Sequence, residues 1–291
     1  MRIGTAGWSI PLQSAPSFPG EGQHLLRHSS VLGCAEINSS FYRAHRTEVY
    51  QRWAALTPPG FRFSVKVPRS ITHEARLRNA REPLLRFLAE VAGLGDRLAA
   101  LLVQLPASFA FEARVVRRFF ALLGELHAGA VVCEPRHPSW FTSSADRALV
   151  TCGVGRVAVD PACVPDAARP GGWLGVEGDG RGALLYYRWH GTPRMYWSGY
   201  DEAWLRARAD ELRRWPAEAN CWCVFDNTAG GQAIANALAL QALLACGTPS
   251  LADQGAAVNL GLEFAVDLST ETSPNLASAP AHRRKGRSRP Q

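Results

Sequence analysis

Eight β-rich segments, most of them followed by a helical pattern, recur along the chain, and this alternation restricts the fold more than any other feature. The segments are Arg2 to Trp8, Cys34 to Tyr42, Arg62 to Pro68, Leu98 to Pro106, Ala130 to His137, Gly155 to Pro161, Ala183 to Gly191 and Asn220 to Thr228. Proline follows several closely, at Pro68, Pro106, Pro138 and Pro161, where a strand ladder has to end because the ring carries no N–H. Between them lie amphipathic stretches. Thr47 reads as the N-cap of a helix reaching Leu56, with Val49, Trp53 and Leu56 on one face. Further helices are expected from Pro83 to Leu94, from Glu112 to Leu126, from an Asp201 cap through Trp215, and from Gly231 to Ala245. The Pro- and Gly-rich stretch from Ala162 to Gly180 reads as an irregular loop.

Strand–helix alternation implies parallel strands joined by right-handed crossovers, and eight units predict an α/β fold, a single (β/α)8 TIM-type barrel. The competing arrangement is an open doubly wound sheet, and no GxGxxG turn follows the first strand to support its dinucleotide-binding form. The barrel is expected over residues 1–247. A weakly patterned C-terminal extension follows over 248–272, then a disordered basic tail over 273–291, rich in Ser, Ala, Pro and Arg.

The formal net charge is +7 in 291 residues, but five cations crowd the tail: Arg283, Arg284, Lys285, Arg287 and Arg289. The body is therefore close to neutral, unlike the broad basic face of a dedicated nucleic-acid binder. No apolar run approaches the roughly 20 residues of a membrane span. Met1-Arg2-Ile3-Gly4 enters a strand at once without a secretory pattern, which predicts a cytoplasmic protein. The seven cysteines, among them Cys221 and Cys223 two apart on one strand face, lack CxxC spacing and read as free thiols.

Function enters through parity, because alternate strand residues face opposite sides. Glu36, Asn38 and Ser40 share a face, as do Ser64 and Lys66, Glu134 and Arg136, and Arg188 and His190, while Gln104, Asp160 and Asp226 stand alone among apolar neighbours of the other parity. In a barrel these converge at the C-terminal mouth, where barrel active sites are built. Carboxylates Glu36, Glu134, Asp160 and Asp226 are opposed there by Lys66, Arg136 and Arg188, so the set nearly neutralises itself. A structural plug would be cheaper in apolar side chains, which favours a functional reading. The turn Asn227-Thr228-Ala229-Gly230-Gly231 precedes a helix and, with Arg188, His190 and Arg194, predicts an anion site. His73, His137 and His190 near the strand ends suit hydrogen bonding or acid–base work. A zinc or manganese site is the minority reading, since no HxH or HxxxH spacing occurs and the neighbouring cations repel a dication. Trp8, Phe41, Tyr42, Trp140, Tyr196, Trp197 and Tyr200 crowd the same end as a stacking platform.

These segments together resemble the domain of unknown function 72 family, also called YecE-like. The resemblance rests on Ile3-Gly4-Thr5-Ala6-Gly7-Trp8-Ser9, Glu36-Ile37-Asn38-Ser39-Ser40-Phe41-Tyr42, Phe61-Arg62-Phe63-Ser64-Val65-Lys66 and Ile71-Thr72-His73-Glu74. It continues through Gln104-Leu105-Pro106, Arg136-His137-Pro138-Ser139-Trp140, Arg188-Trp189-His190-Gly191 and Asn227-Thr228-Ala229-Gly230-Gly231, in order over residues 1–247. It implies a TIM-type barrel and supplies no activity. Ile10-Pro11 after Ser9, and Pro135 between Glu134 and Arg136, depart from the family pattern and bear on details of the mouth.

The expectation is an enzyme acting on a small phosphorylated or sugar-like anionic ligand. Glu36, Lys66, Glu134, Arg136, His137 and Asp160 are the candidate catalytic groups. Trp8, Asn38, Tyr42, Arg188, His190, Asn227, Gly230 and Gly231 are the candidate ligand contacts. No cofactor and no metal are expected, and the partner is the small anion. The alternatives are a nucleic-acid-processing, endonuclease-like barrel, with or without a metal, and a non-catalytic ligand-binding module.

Overall fold

The computed structural model describes residues 1–175 and 184–246. The expected extension and tail, residue 247, and the end of the Pro/Gly-rich loop with Ala183 lie outside the described residues.

Among the described residues ten strands form one sheet: β1 (Arg2–Ala6), β2 (Cys34–Ile37), β3 (Arg62–Lys66), β4 (Leu98–Gln104), β5 (Ala130–Glu134), β6 (Val154–Arg156), β7 (Ala158–Asp160), β8 (Gly171–Gly172), β9 (Leu184–Trp189) and β10 (Asn220–Phe225). Their order is β7-β9-β10-β1-β2-β3-β4-β5-β6-β8, and every pairing is parallel except the short β6–β8 contact. β6 and β7 are two halves of the expected sixth strand, parted at Val157. The first half pairs with β5 and the second with β9, so this split strand spans the gap and brings the sheet to a nearly closed barrel. Val157 N–H still donates to Cys133 O at 2.9 Å across the break.

The helices are α1 (His24–Ser29), α2 (Ser39–Tyr42), α3 (Thr47–Ala55), α4 (Arg81–Val91), α5 (Ala113–Leu126), α6 (Ser143–Thr151), α7 (Glu202–Leu212) and α8 (Gln232–Cys246). In α5 the apolar spacing buries Val116, Phe119, Phe120 and Leu123 on one side against β4 and β5. Asp201 caps α7 as expected, its carboxylate accepting from Trp204 N–H at 2.8 Å. Thr47, expected as a cap, is instead the first residue of α3, and Arg46 holds the cap position. α6 was not expected; Thr142 starts it by accepting from Ala145 N–H. The second strand is shorter than its sequence suggests. It ends at Ile37, and the chain turns through α2, where Ser40 Oγ donates to Ile37 O and Lys66 O.

The cores lie on both sides of the barrel wall. One outer core packs β2–β5 against α3–α5, and another packs β9, β10 and β1 against α7 and α8. Inside, Cys34, Ala100, Leu102, Val132, Val157, Tyr186, Trp222 and Val224 fill the cylinder, with Tyr186 stacked on Trp222 at 5.8 Å. β1 and β2 approach so closely that a Cβ on Gly4 would lie 2.0 Å from Cys34 O, so the position has room for glycine alone. The apolar plug leaves the C-terminal end of the barrel to polar side chains.

Candidate active site

Above Tyr186 and Trp222 the inward positions change from apolar to charged. Arg188, fully buried on β9, is the hub. Its Nε and Nη2 grip the two oxygens of Glu36 on β2 at 2.9 and 2.6 Å. Its Nη1 reaches Glu134 Oε2 on β5 at 2.5 Å, and Nη2 also donates to Asp226 Oδ2, just past β10, at 2.8 Å. One guanidinium thus serves three carboxylates from three strands, using the planar fork that only arginine provides. Tyr186, one inward position below Arg188, donates to Glu36 Oε2 at 2.9 Å and lies 2.6 Å from Ser64 Oγ.

The charges hold each other in place. Burial pushes the Glu134 carboxyl upward, but Arg188 and then Arg136 outweigh it and hold the group well below the usual carboxylate range. Asp226 follows the same logic, with burial opposed by Arg188 and His190. Burial pushes the Tyr186 hydroxyl well up, with Glu36 adding to it, so Tyr186 stays a proton donor.

A second tier faces the opening. Arg136, only 22 % exposed, donates from Nε to Glu134 Oε1 at 2.8 Å. Its terminal nitrogens make only long contacts, to Tyr196 Oη at 3.4 Å, Met195 Sδ at 3.8 Å and His190 Nε2 at 3.3 Å. His190 turns Nδ1 toward Asp226 Oδ2 at 3.0 Å, a carboxylate–imidazole pair that leaves Nε2 on the side of Arg136 and Glu134. Lys66, at the end of β3, places Nζ 4.2 Å from the centre of the Phe41 ring. Among the described residues it has neither a hydrogen bond nor a carboxylate within 4.0 Å, although it is only 8 % exposed. Burial, then Arg188, push its pKa down to about 8, against the pull of Glu134, Glu36 and Asp226. His73, edge-on to Phe41 and bonded to Thr72 Oγ1 at 2.9 Å, is pushed down to about 4 by burial and then by Lys66, Arg69 and Arg136. The carboxylates are therefore spent within the floor, and the cations Lys66 and Arg136 are what the mouth offers outward.

Of the expected residues, Glu36, Lys66, Glu134, Arg136, Arg188 and His190 come together. Asn38 lies two residues beyond Glu36, and its Oδ1 is buried without a partner among the described residues. The others lie apart. Asp160 is on the outward parity of the split strand, because Val157 and Val159 fill the barrel. Its Oδ1 accepts from Thr192 Oγ1 at 2.6 Å and Tyr200 Oη at 2.8 Å, tying down the loop after β9. His137 caps the turn Pro138–Trp140, with Nδ1 facing Ser139 Oγ at 2.8 Å and accepting from Ser139 N–H. Trp8 packs edge-on against Trp53 and Phe63 in the outer core. Tyr42 is 76 % exposed on the rim, its ring edge-on to Phe41.

The anion turn is corrected most clearly. Three of its five N–H groups have partners: Ala229 and Gly230 donate to Tyr196 O, and Gly231 donates to Thr228 O. Asn227 Nδ2 donates to Ser198 O and Asn236 Oδ1. A Cβ on Gly230 would lie 2.3 Å from Trp197 O, so the glycine makes room for the loop after β9 and not for a ligand. Asp226 and His73, expected near the mouth but not among the candidate catalytic or ligand contacts, join the site, and Tyr186 beneath them was not expected. Tyr186 carried a signal, two residues before Arg188 on the same parity. A cleft of about 430 Å3, bordered by Arg2, Gly33, Gly60, Phe61 and Gln241, lies at the opposite, N-terminal end of the barrel, away from every charged group described above.

Comparison with known proteins fits this architecture. The family model described as "Protein of unknown function DUF72" matches residues 2–257. Two curated relatives, the UPF0759 protein YecE of Escherichia coli K12 and of E. coli O157:H7, are each 35% identical over 169 residues, covering 55% of this chain and 61% of theirs. The match thus spans less than two thirds of those relatives' length. Crystal structures of DUF72 family proteins share the fold. The one from Thermotoga maritima has a TM-score of 0.67 at 24% identity, covering 84% of this chain and 98% of that one. The one from Enterococcus faecalis has a TM-score of 0.66 at 21% identity, covering 85% and 96%. A nearly closed parallel barrel of this order, matched from its first strand past its last helix, belongs to the DUF72 family.

Proposed function

We propose that the mouth binds a small anionic ligand and performs acid–base chemistry on it. Lys66 and Arg136 neutralise the ligand's carboxylate or phosphate, and His190, oriented by Asp226, moves protons at Nε2. Arg188, Glu36, Glu134 and Tyr186 form the rigid base that aims these groups. Glu36 and Glu134, both candidate catalytic groups from the sequence, serve poorly as an acid–base pair. Every Glu36 oxygen is already bonded, and Glu134 is held ionised between two arginines.

The observation that carries the reading is the buried Lys66 ammonium, which among the described residues has no carboxylate within 4.0 Å. A buried cation normally has a partner, because desolvation is costly otherwise, and a ligand anion would complete this one. The metal-dependent nucleic-acid reading needs carboxylates free to hold a dication, whereas Arg188 occupies the point on which three of them converge. Among the described residues no three His, Cys, Asp or Glu side chains form a metal-sized cluster.

The test is thermal unfolding with inorganic phosphate and with a panel of sugar phosphates and small carboxylates, followed by a search for turnover of whichever binds. A ligand at 100 times its Kd raises stability by about 2.7 kcal/mol. Stabilisation in the wild type that disappears in Lys66→Met and in Arg136→Met supports the reading. Equal stabilisation of wild type and variants contradicts it, and binding without turnover identifies a ligand-binding module.

A further inference from the structure

Residue type singles out Lys66 as much as its position does. Of the 32 Lys and Arg residues in the chain, only two are lysine, Lys66 and Lys285. Arginine supplies the other cations of the mouth, Arg136 and Arg188. It does so for a reason of geometry, since each grips a carboxylate through two or more nitrogens or through Nε. At position 66 no carboxylate is gripped. The side chain lies against the Phe41 ring, the carbonyl is held by Ser40 Oγ, and the charges of Lys66 and Arg136 both act on His73, which packs edge-on against the same ring. An amine differs from a guanidinium in one chemical respect that matters here: it can shed a proton and become a nucleophile.

We infer that Lys66 is an amine nucleophile that forms an imine with a small 2-oxo acid whose carboxylate rests on Arg136. The inference builds on the ligand-binding reading above and names its substrate class. In the step, the Lys66 lone pair forms a C–N bond to the carbonyl carbon while the carbonyl π pair moves to oxygen, which takes up a proton. The nitrogen gives up a proton, the hydroxyl of this carbinolamine takes up a second proton and departs as water while the nitrogen lone pair forms the C=N bond, and the nitrogen then releases its remaining proton. The net change is amine plus carbonyl to imine plus water, with no oxidant or reductant. His190, held by Asp226 at Nδ1, is the group in this layer suited to lend and recover those protons.

The surroundings suit such an amine. Arg188 on β9 and burial disfavour its charge, while Glu36 on β2, Glu134 on β5 and Asp226 after β10 favour it, and His73 beside it stays neutral. The balance puts Lys66 at about 8. At pH 7 an amine with that value is free about two orders of magnitude more often than an exposed lysine titrating near 10.4. Lys285 is the internal comparison.

The experiment is reductive trapping of the full-length chain with glyoxylate and cyanoborohydride, read by intact mass and peptide mapping. Trapping adds the probe less one oxygen to the nitrogen attacked. The expected result is modification of Lys66 at least about ten-fold faster than Lys285, abolished in Lys66→Arg. Glycolate, with a hydroxyl in place of the aldehyde, should stabilise the wild type without being trapped. Lys66→Met serves as a second variant for the trapping alone if arginine disturbs folding, and wild-type-like melting without ligand checks both. Trapping at Lys66 no faster than at Lys285, with glycolate still stabilising the wild type, overturns the imine and leaves the ligand reading standing. Absence of both effects removes the two together.

Discussion

Replacing Arg188 by methionine is the most demanding test of the buried charge layer. The substitution removes one side chain of similar volume and leaves three carboxylates without their shared cation. Asp226 retains His190 and Glu134 retains Arg136, but Glu36 keeps only the Tyr186 hydroxyl. Orphaning one partner of a buried pair costs about 3–5 kcal/mol. With one carboxylate fully orphaned and two partly so, the expected loss is about 5 kcal/mol at pH 7.5. The pH dependence carries the sign. In the wild type, Glu134 and Asp226 have folded pKa values below their unfolded ones, so their contribution is present above about pH 4.5 and lost as pH falls through the folded values. Without Arg188 the main cation holding those two values down is gone, so the gap between wild type and variant is widest at pH 7.5 and narrows by about pH 4. Urea unfolding followed by tryptophan fluorescence at both pH values measures this. The double variant Glu36→Gln/Arg188→Met, which no longer buries the orphaned carboxylate, should recover part of the loss. An Arg188→Met protein that is no less stable than wild type, or equally destabilised at both pH values, would refute the reasoning.

Other outcomes follow from local geometry. Gly4→Ala forces a Cβ onto Cys34 O and should cost about 1–3 kcal/mol, a drop of several degrees in Tm by calorimetry. Exposed Cys163 and Cys246 should react with a thiol reagent in the native protein, whereas buried Cys34, Cys133, Cys221 and Cys223 react only on unfolding, as counted by mass shift. Tyr200→Phe removes the hydroxyl that bonds Gly191 N–H and Asp160. It should cost about 1–2 kcal/mol and raise proteolysis of the loop after β9.

The barrel and the floor of its mouth were legible because both follow from a period of two. Once eight strands were counted, Glu36, Lys66, Glu134, Arg188 and Asp226 had to face inward near their strands' ends, and they do. Asp160 misled because inwardness was inferred from polarity. On the split sixth strand the inward residues are valines, and the carboxylate ties a loop. The turn Asn227 to Gly231 misled for a different reason. Glycines before a helix have the same local appearance whether they admit a ligand or a neighbouring segment, and here Tyr196 and Trp197, some thirty residues away, take the space and two of the N–H groups. Trp8 and His137 likewise answer to partners that no local pattern announces: Trp53 and Phe63 for the first, Ser139 for the second.

With two lysines in the chain, selective 13C-lysine labelling gives two side-chain signals, and their titration bears most directly on the account. Lys66 should titrate near 8, below the ordinary lysine value of about 10.4, and shift when a small oxoanion is added, with Lys285 as the second signal for comparison. If the Lys66 signal titrates alongside Lys285 and ignores every anion offered, its nitrogen is neither confined nor waiting for a ligand, and the proposed site is wrong.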